Sequence, residues 1–320
     1  MKVLFNTDTL NFRGSTVATV DYARYNQQIL GNESIICYDK SRDYYKDGGT
    51  EPEVLENLLK EFHIIGHHQI TDIRQIVEDE NVDLVYFSRG GERGWVPDNC
   101  RAVAHAVFQL YEPHADAYAY ISEWLAGAMN ARCQAQCPWV PHIVTLPEAR
   151  GHYREHIGIK PGQTVIGRMG GYYTFNLPFV KQAILEVVEQ RPDYVFVFAG
   201  TEQWADHPRI RFIKEFHDLR VKSNFINTCD AMIHARSNGE SFGLAVAEGL
   251  FHNKPVLVWE GGEDQNHTFM LRGSELIYNQ SNIKDKLLNI RDYIALEDWQ
   301  QRVAEFNPTT VMEKFNKVFF

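Results

Sequence analysis

The chain predicts an α/β architecture with two Rossmann-like domains, each built on an open parallel sheet. Three observations carry that prediction. Short apolar runs alternate with helical stretches along the whole length, the βα rhythm of a parallel sheet. The rhythm comes in two series, broken once by a proline-containing passage, and prolines punctuate structure. A length of 320 residues at 44% hydrophobic content also points to two cores, since single cores stop growing at about 250–300 residues.

The first series places strands over 3–5, 34–38, 64–65, 84–87, 102–108 and 119–121; the second places them over 164–167, 194–199, 210–213, 231–234, 255–259 and 275–278. Between the two series, Cys137-Pro138-Trp139-Val140-Pro141 and Pro161-Gly162 interrupt the pattern, with a bridging helix expected over 149–157. Domains are therefore expected over 1–147 and 148–320, facing each other across a cleft. The tail from Asn307-Pro308 onward reads as a capped amphipathic helix that could cross back to the first domain.

Composition narrows the function classes. The formal charge is −10, from 32 basic and 42 acidic residues, with no long Lys/Arg run, so a nucleic-acid backbone is a poor partner. The five cysteines, Cys37, Cys100, Cys133, Cys137 and Cys229, show no paired CxxC spacing and read as reduced thiols of a cytoplasmic protein. Met1-Lys2-Val3-Leu4-Phe5 turns polar at Asn6, Thr7 and Asp8, too soon for a signal peptide. No apolar run approaches the ~20 residues that span a bilayer, and no strongly basic amphipathic helix argues for membrane contact, which is left open.

The most informative stretch is Gly239-Glu240-Ser241-Phe242-Gly243-Leu244-Ala245-Val246-Ala247-Glu248. A helix starting near residues 241–243 would direct unpaired N–H groups and a positive dipole end at the preceding loop, which carries Arg236. Phosphate suits such a place, and Gly243, without a Cβ, lets a diphosphate approach the backbone. With roughly 1.5 Å rise per residue, Glu248 falls about 7–9 Å along the helix while Glu240 stays on the loop.

Glu240-x7-Glu248, with Cys229-Asp230-Ala231-Met232-Ile233 before it and Lys254-Pro255-Val256-Leu257-Val258 after it, resembles the C-terminal half of glycosyltransferase family 4-like enzymes of the GT-B fold. The resemblance is strongest over 164–259. It implies that this motif forms the donor pocket, with Glu240 at the transferred sugar, Glu248 at the ribose, and Ser241, Phe242, Gly243 and Leu244 near the diphosphate. It also implies that Arg168, in Gly167-Arg168-Met169-Gly170-Gly171, neutralises the leaving group. The family's usual Lys is absent: Tyr173-Thr174-Phe175-Asn176 stands in its place. Backbone N–H groups of Gly170 and Gly171, together with Arg236, are the expected replacements, a guanidinium being able to grip phosphate bidentately.

In the N-terminal half, Asp8-Thr9-Leu10-Asn11-Phe12-Arg13-Gly14-Ser15-Thr16 follows the first strand and precedes a helix expected over 16–30. There Gly14 permits close approach, and Ser15 or Thr16 can cap. His105 resembles the family's histidine near the transferred sugar, acting through its carbonyl or imidazole. His114 borders the acceptor side, Gly200-Thr201-Glu202-Gln203 the base, and Glu263, Asn266 and His267 are second-rank donor contacts. No histidine has HExxH spacing and no Asp-x-Asp ends a convincing strand, so neither a metal nor another cofactor is expected.

The resemblance implies a retaining glycosyltransferase that moves a hexosyl group from a nucleoside-diphosphate sugar to a hydroxyl of a glycan or lipid-linked acceptor. Two alternatives stand beside it: a nucleotide-sugar epimerase or hydrolase on the same fold, and a non-catalytic carbohydrate- or nucleotide-binding protein. A nicotinamide enzyme is disfavoured because no GxGxxG follows a strand. Donor sugar, base, acceptor and oligomeric state are not legible in the chain.

Overall fold

The computed structural model describes residues 1–42, 49–216 and 218–320. They divide into two units, Met1–Ile143 with Phe306–Phe320, and Val144–Glu305; the sequence reading set its boundary after Pro147.

The first unit carries β1 (Lys2–Thr7), β2 (Glu33–Asp39), β3 (His63–His67), β4 (Leu84–Arg89), β5 (Arg101–Ala106) and β6 (Ala117–Tyr120). They form one parallel sheet in the order β3-β2-β1-β4-β5-β6, with Leu4 opposite Ile35 and Val85 on its two sides. Side chains alternate between faces along each strand. Val3, Phe5 and Tyr86 enter one core with Tyr22 and Phe315, while Leu4, Val85 and Phe87 enter the other with Ile35 and Val77. A sheet buried on both faces explains the continuous apolar runs. Phe315 belongs to the terminal helix Pro308–Phe319, whose cap is Asn307 accepting from the Thr310 N–H at 3.0 Å.

The second unit carries β7 (Thr164–Arg168), β8 (Tyr194–Ala199), β9 (Ile210–Ile213), β10 (Ala231–Ile233), β11 (Gly239–Glu240), β12 (Val256–Trp259), β13 (Asp264–Gln265) and β14 (Ile277–Tyr278). The main sheet is again parallel, in the order β14-β12-β10-β7-β8-β9, and β11 pairs with β13 beside it. Two parallel, doubly wound sheets are the Rossmann-like pair that the βα rhythm predicts.

One expected element is not there. Residues 149–157 form no regular helix; a single turn closes through Ile157 N–H to Tyr153 carbonyl at 2.9 Å. The backbone is tied elsewhere: the Arg150 N–H reaches the Asn224 side chain at 3.0 Å and the Tyr153 N–H the Thr228 hydroxyl at 2.8 Å. Among the described residues no helix is long and apolar enough to cross a membrane.

Candidate functional site

In an open parallel sheet, ligands bind beyond the carboxyl ends of the strands where the order reverses. In the second unit that point lies between β7 and β10. A recess lined by Met169, Met232, Ile233, His234, Ala245 and Val246 is found there. The Glu240 motif and Arg168 both arrive at it for local reasons.

After β10 the chain runs through His234-Ala235-Arg236, turns, and enters β11, where Gly239 pairs with Asp264. Gly239 has φ +73, and a Cβ there would fall 1.8 Å from the Asp264 carbonyl oxygen, so only glycine permits this pairing. The pairing fixes Glu240, whose carboxylate accepts from His234 Nε2 at 3.0 Å and Arg236 Nη1 at 2.9 Å. Burial pushes the Glu240 carboxyl up, but the His234 hydrogen bond and the neighbouring positive charges outweigh it and hold the group below its ordinary range. His267 lies beneath, its ring 5.0 Å from that of His234. Burial draws His267 down to about 4, and its Nε2 donates to the Trp259 carbonyl at 2.9 Å.

The helix Leu244–Phe251 starts from Gly243, at φ +93. Val246 and Ala247 N–H groups both return to the Gly243 carbonyl, which leaves Leu244 and Ala245 N–H groups at the helix opening. Asn266 holds this bend by donating to the Phe242 carbonyl at 2.7 Å. Ser241 and Leu244 are half-buried beside it, and Phe242 is buried. One turn on, Glu248 is 6% exposed and its Oε1 is ion-paired with Lys222 of the helix Leu219–Thr228. Its Oε2 has no hydrogen bond to any described residue.

Arg168 ends β7 and is only 4% exposed. Nη1 donates to the Thr201 hydroxyl at 2.6 Å and the Gly170 carbonyl at 3.3 Å; Nη2 donates to the Gly171 carbonyl at 2.9 Å and the Thr174 hydroxyl at 2.6 Å. Every one of these partners is neutral. Among the described residues no carboxylate lies within ion-pair distance, and burial draws the guanidinium down to about 10 while the more distant Glu240 opposes it. A buried cation without a counter-ion is costly. Gly170, at φ +146, and Gly171 are exposed, with their carbonyls committed to Arg168. Arg236 remains partly open, with 37% side-chain exposure. The site thus joins two guanidinium groups, the Lys222 ammonium and the Glu240 and Glu248 carboxylates around a helix N-terminus, an arrangement suited to an anion.

The first unit corrects two expectations. His105 is fully buried: its Nε2 donates to the Val140 carbonyl at 2.9 Å and its Nδ1 accepts from the Tyr86 hydroxyl at 2.8 Å. Both nitrogens are occupied inside an aromatic core, so the imidazole cannot reach a sugar, and of the two expected routes only the backbone carbonyl is left. Gly14 and Ser15 are exposed in the first turn of the helix Gly14–Gln28, but neither Ser15 nor Thr16 caps it. Thr16 instead donates to the Thr9 carbonyl at 2.9 Å, which braces the loop after β1.

Sequence reasoning did not single out Lys222, and it read Thr201 only within a stretch bordering the base and Thr174 only within the segment that replaces the Lys, neither as a partner of Arg168. Thr174 stands in the place of the expected Lys. Lys222 comes from a separate helix, and no spacing in the chain ties it to Glu248. Of the second-rank residues, Asn266 and His267 join the site and Glu263 is exposed.

No protein-family model and no curated protein matches the chain. Solved structures do. A glycosyltransferase from Rickettsia africae superposes with a TM-score of 0.70 at 14% identity, over 99% of this chain and 97% of its own. Anabaena HepE, solved with UDP and glucose, gives 0.70 at 12% identity over 99% and 98%. A Listeria monocytogenes protein named as a UDP-N-acetylglucosamine 2-epimerase gives 0.63 at 14% identity over 98% and 94%. Similarity at this level of identity concerns the fold, and the fold of this chain is that of the GT-B glycosyltransferases.

Proposed function

We propose that the protein is a retaining glycosyltransferase that moves a hexosyl group from a nucleoside-diphosphate sugar to a hydroxyl of a glycan or lipid-linked acceptor, without a metal. The observation that carries this reading is Arg168, a buried guanidinium with neutral partners only, placed with a helix N-terminus at the β7/β10 switch point. HepE has been solved with UDP and with UDP-glucose, which makes UDP-glucose the first donor to test.

When the sugar–phosphate bond breaks, its electron pair stays on the diphosphate and the anomeric carbon gains positive character. Arg168, Arg236, the exposed Gly170 and Gly171 backbone and the helix opening at Gly243, Leu244 and Ala245 stabilise the first charge. Glu240, held ionised by His234, favours the second. Glu248 Oε2 accepts from a ribose hydroxyl. Gly14 and Ser15, at the exposed start of their helix, contribute backbone donors. Retention follows from the resemblance in the Glu240 motif, and two guanidinium groups replace the charge that a metal would supply.

The test is a thermal-shift screen of UDP, GDP, ADP and their sugars, since a ligand that binds only the native state raises its melting temperature. Product analysis with and without acceptor, with and without a chelator, follows. Transfer unaffected by the chelator supports the reading. An epimerised or hydrolysed donor would favour the second reading, which the Listeria neighbour motivates. Binding without turnover would point to a non-catalytic protein.

A further inference from the structure

The first unit has its own switch point, between β1 and β4. Arg89 is the last residue of β4 and stands at the carboxyl end of the sheet there. Its guanidinium lies 4.0 Å from the centre of the Phe87 ring, two residues back on the same strand face. Nη2 donates to the Trp95 carbonyl, and Nη1 donates to His114 Nε2 at 2.6 Å. Because Arg89 is the donor, His114 Nε2 carries no proton, and its Nδ1 donates to the Glu112 carbonyl at 2.7 Å. This fixes the imidazole as a neutral partner. Gly94 leaves room for the guanidinium: a Cβ at that position would sit 2.5 Å from Nη1.

We propose that Arg89 holds an oxyanion of the acceptor, a phosphate or a carboxylate, at the β1/β4 switch point. Every contact of this half-buried guanidinium is neutral: a carbonyl, an imidazole and an aromatic face. Among the described residues no carboxylate lies within ion-pair distance. Burial draws Arg89 down to about 10, against the pull of Glu92 and Asp8. Both acids are exposed, and Asp8 pairs with Arg42 at 3.6 Å. Arginine has five N–H donors, and the bonds to Trp95 and His114 use two of them, leaving donors for a planar, bidentate oxyanion contact. A sugar hydroxyl would gain less from such a group than a full charge does. Sequence reading placed His114 beside the acceptor and passed over Arg89, which holds it. The inference rests on taking the first unit as the acceptor side.

The experiment is calorimetric titration of the full chain, saturated with UDP, using inorganic phosphate in one arm and acetate in the other, at constant ionic strength. Wild-type protein is expected to bind one or both, and the stronger arm identifies the acceptor's group. Arg89→Gln should weaken that binding by about tenfold or more, while Arg132→Gln, at an exposed arginine away from the strand ends, should leave it unchanged. Should Arg89→Gln not fold, Gly94→Ala, which displaces the guanidinium, takes its place. The titrations are repeated without UDP on the wild type and on Arg89→Gln, and the difference between the two is read there, so that a failure of UDP to bind counts against the donor reading alone. Undiminished binding in the Arg89 variants, or no binding by the wild type, overturns the proposal.

Discussion

His234 Nε2 donates to Glu240 Oε1 across 3.0 Å, and this bond is the strongest influence lowering the Glu240 carboxyl against its own burial. Removing the imidazole therefore leaves desolvation less opposed, and the carboxyl moves up. If ionised Glu240 faces the sugar, the acid limb of the kcat profile in His234→Ala should shift to higher pH. Glu240→Ala should lose transfer by roughly 10²–10³-fold with nucleotide binding retained. An acid limb that stays where the wild type has it would sink the pairing of these two residues.

Arg168→Lys tests the guanidinium fork. Four hydrogen bonds to two carbonyls and two hydroxyls require its planar geometry, and an ammonium cannot reproduce it. The variant should weaken UDP binding and lower stability by about 1–3 kcal/mol, chiefly from the buried Thr201 hydroxyl left without its donor. Calorimetry and denaturant unfolding measure the two effects. Wild-type values in both would refute the assignment.

How much of this was legible follows distance along the chain. Strand β8 is a continuous apolar run and matches its expected range residue for residue, and the Glu240 motif lies within ten residues, where spacing and helix geometry decide its shape. The imidazole of His105 was misread because its surroundings come from afar: Phe315 and Phe319 of the terminal helix and Tyr22 of the first close the core on it. The Lys222 pairing to Glu248 joins two helices that only the fold brings together. Arg89 carried no motif; its meaning depends on which strands neighbour β4, and strand order is not written in periodicity.

Glu248 and Lys222 should separate binding from stability. Glu248→Ala removes the proposed ribose acceptor and should weaken UDP by roughly tenfold to a hundredfold, about 1.5–3 kcal/mol, with kcat at saturation much less affected. Lys222→Met leaves a carboxylate with 7% side-chain exposure unpaired, at a cost of about 3–5 kcal/mol, so its main effect should be a lower melting temperature. Equal effects of the two variants on UDP affinity and melting temperature would contradict this division.

His105 and His142 stay neutral in the core of the first unit: burial draws His105 down to about 4, and burial with the nearby His105 draws His142 to about 3. An unfolded histidine titrates near 6.5, so between pH 6.5 and these folded values the unfolded chain binds more protons. Their contribution to stability is complete above 6.5, falls as the pH drops below it, and levels off once the folded values are passed. At about 1.36 kcal/mol per pH unit for each group, the pair should lose roughly 3–4 kcal/mol between pH 7 and pH 5. Tyr22 donates to the Pro141 carbonyl at 2.8 Å, so its hydroxyl accepts from His142 Nδ1. His142→Gln keeps a donor there without a titrating group. Unfolding midpoints across this range should fall less steeply in the variant, and a slope identical to wild type would show that His142 does not supply the dependence.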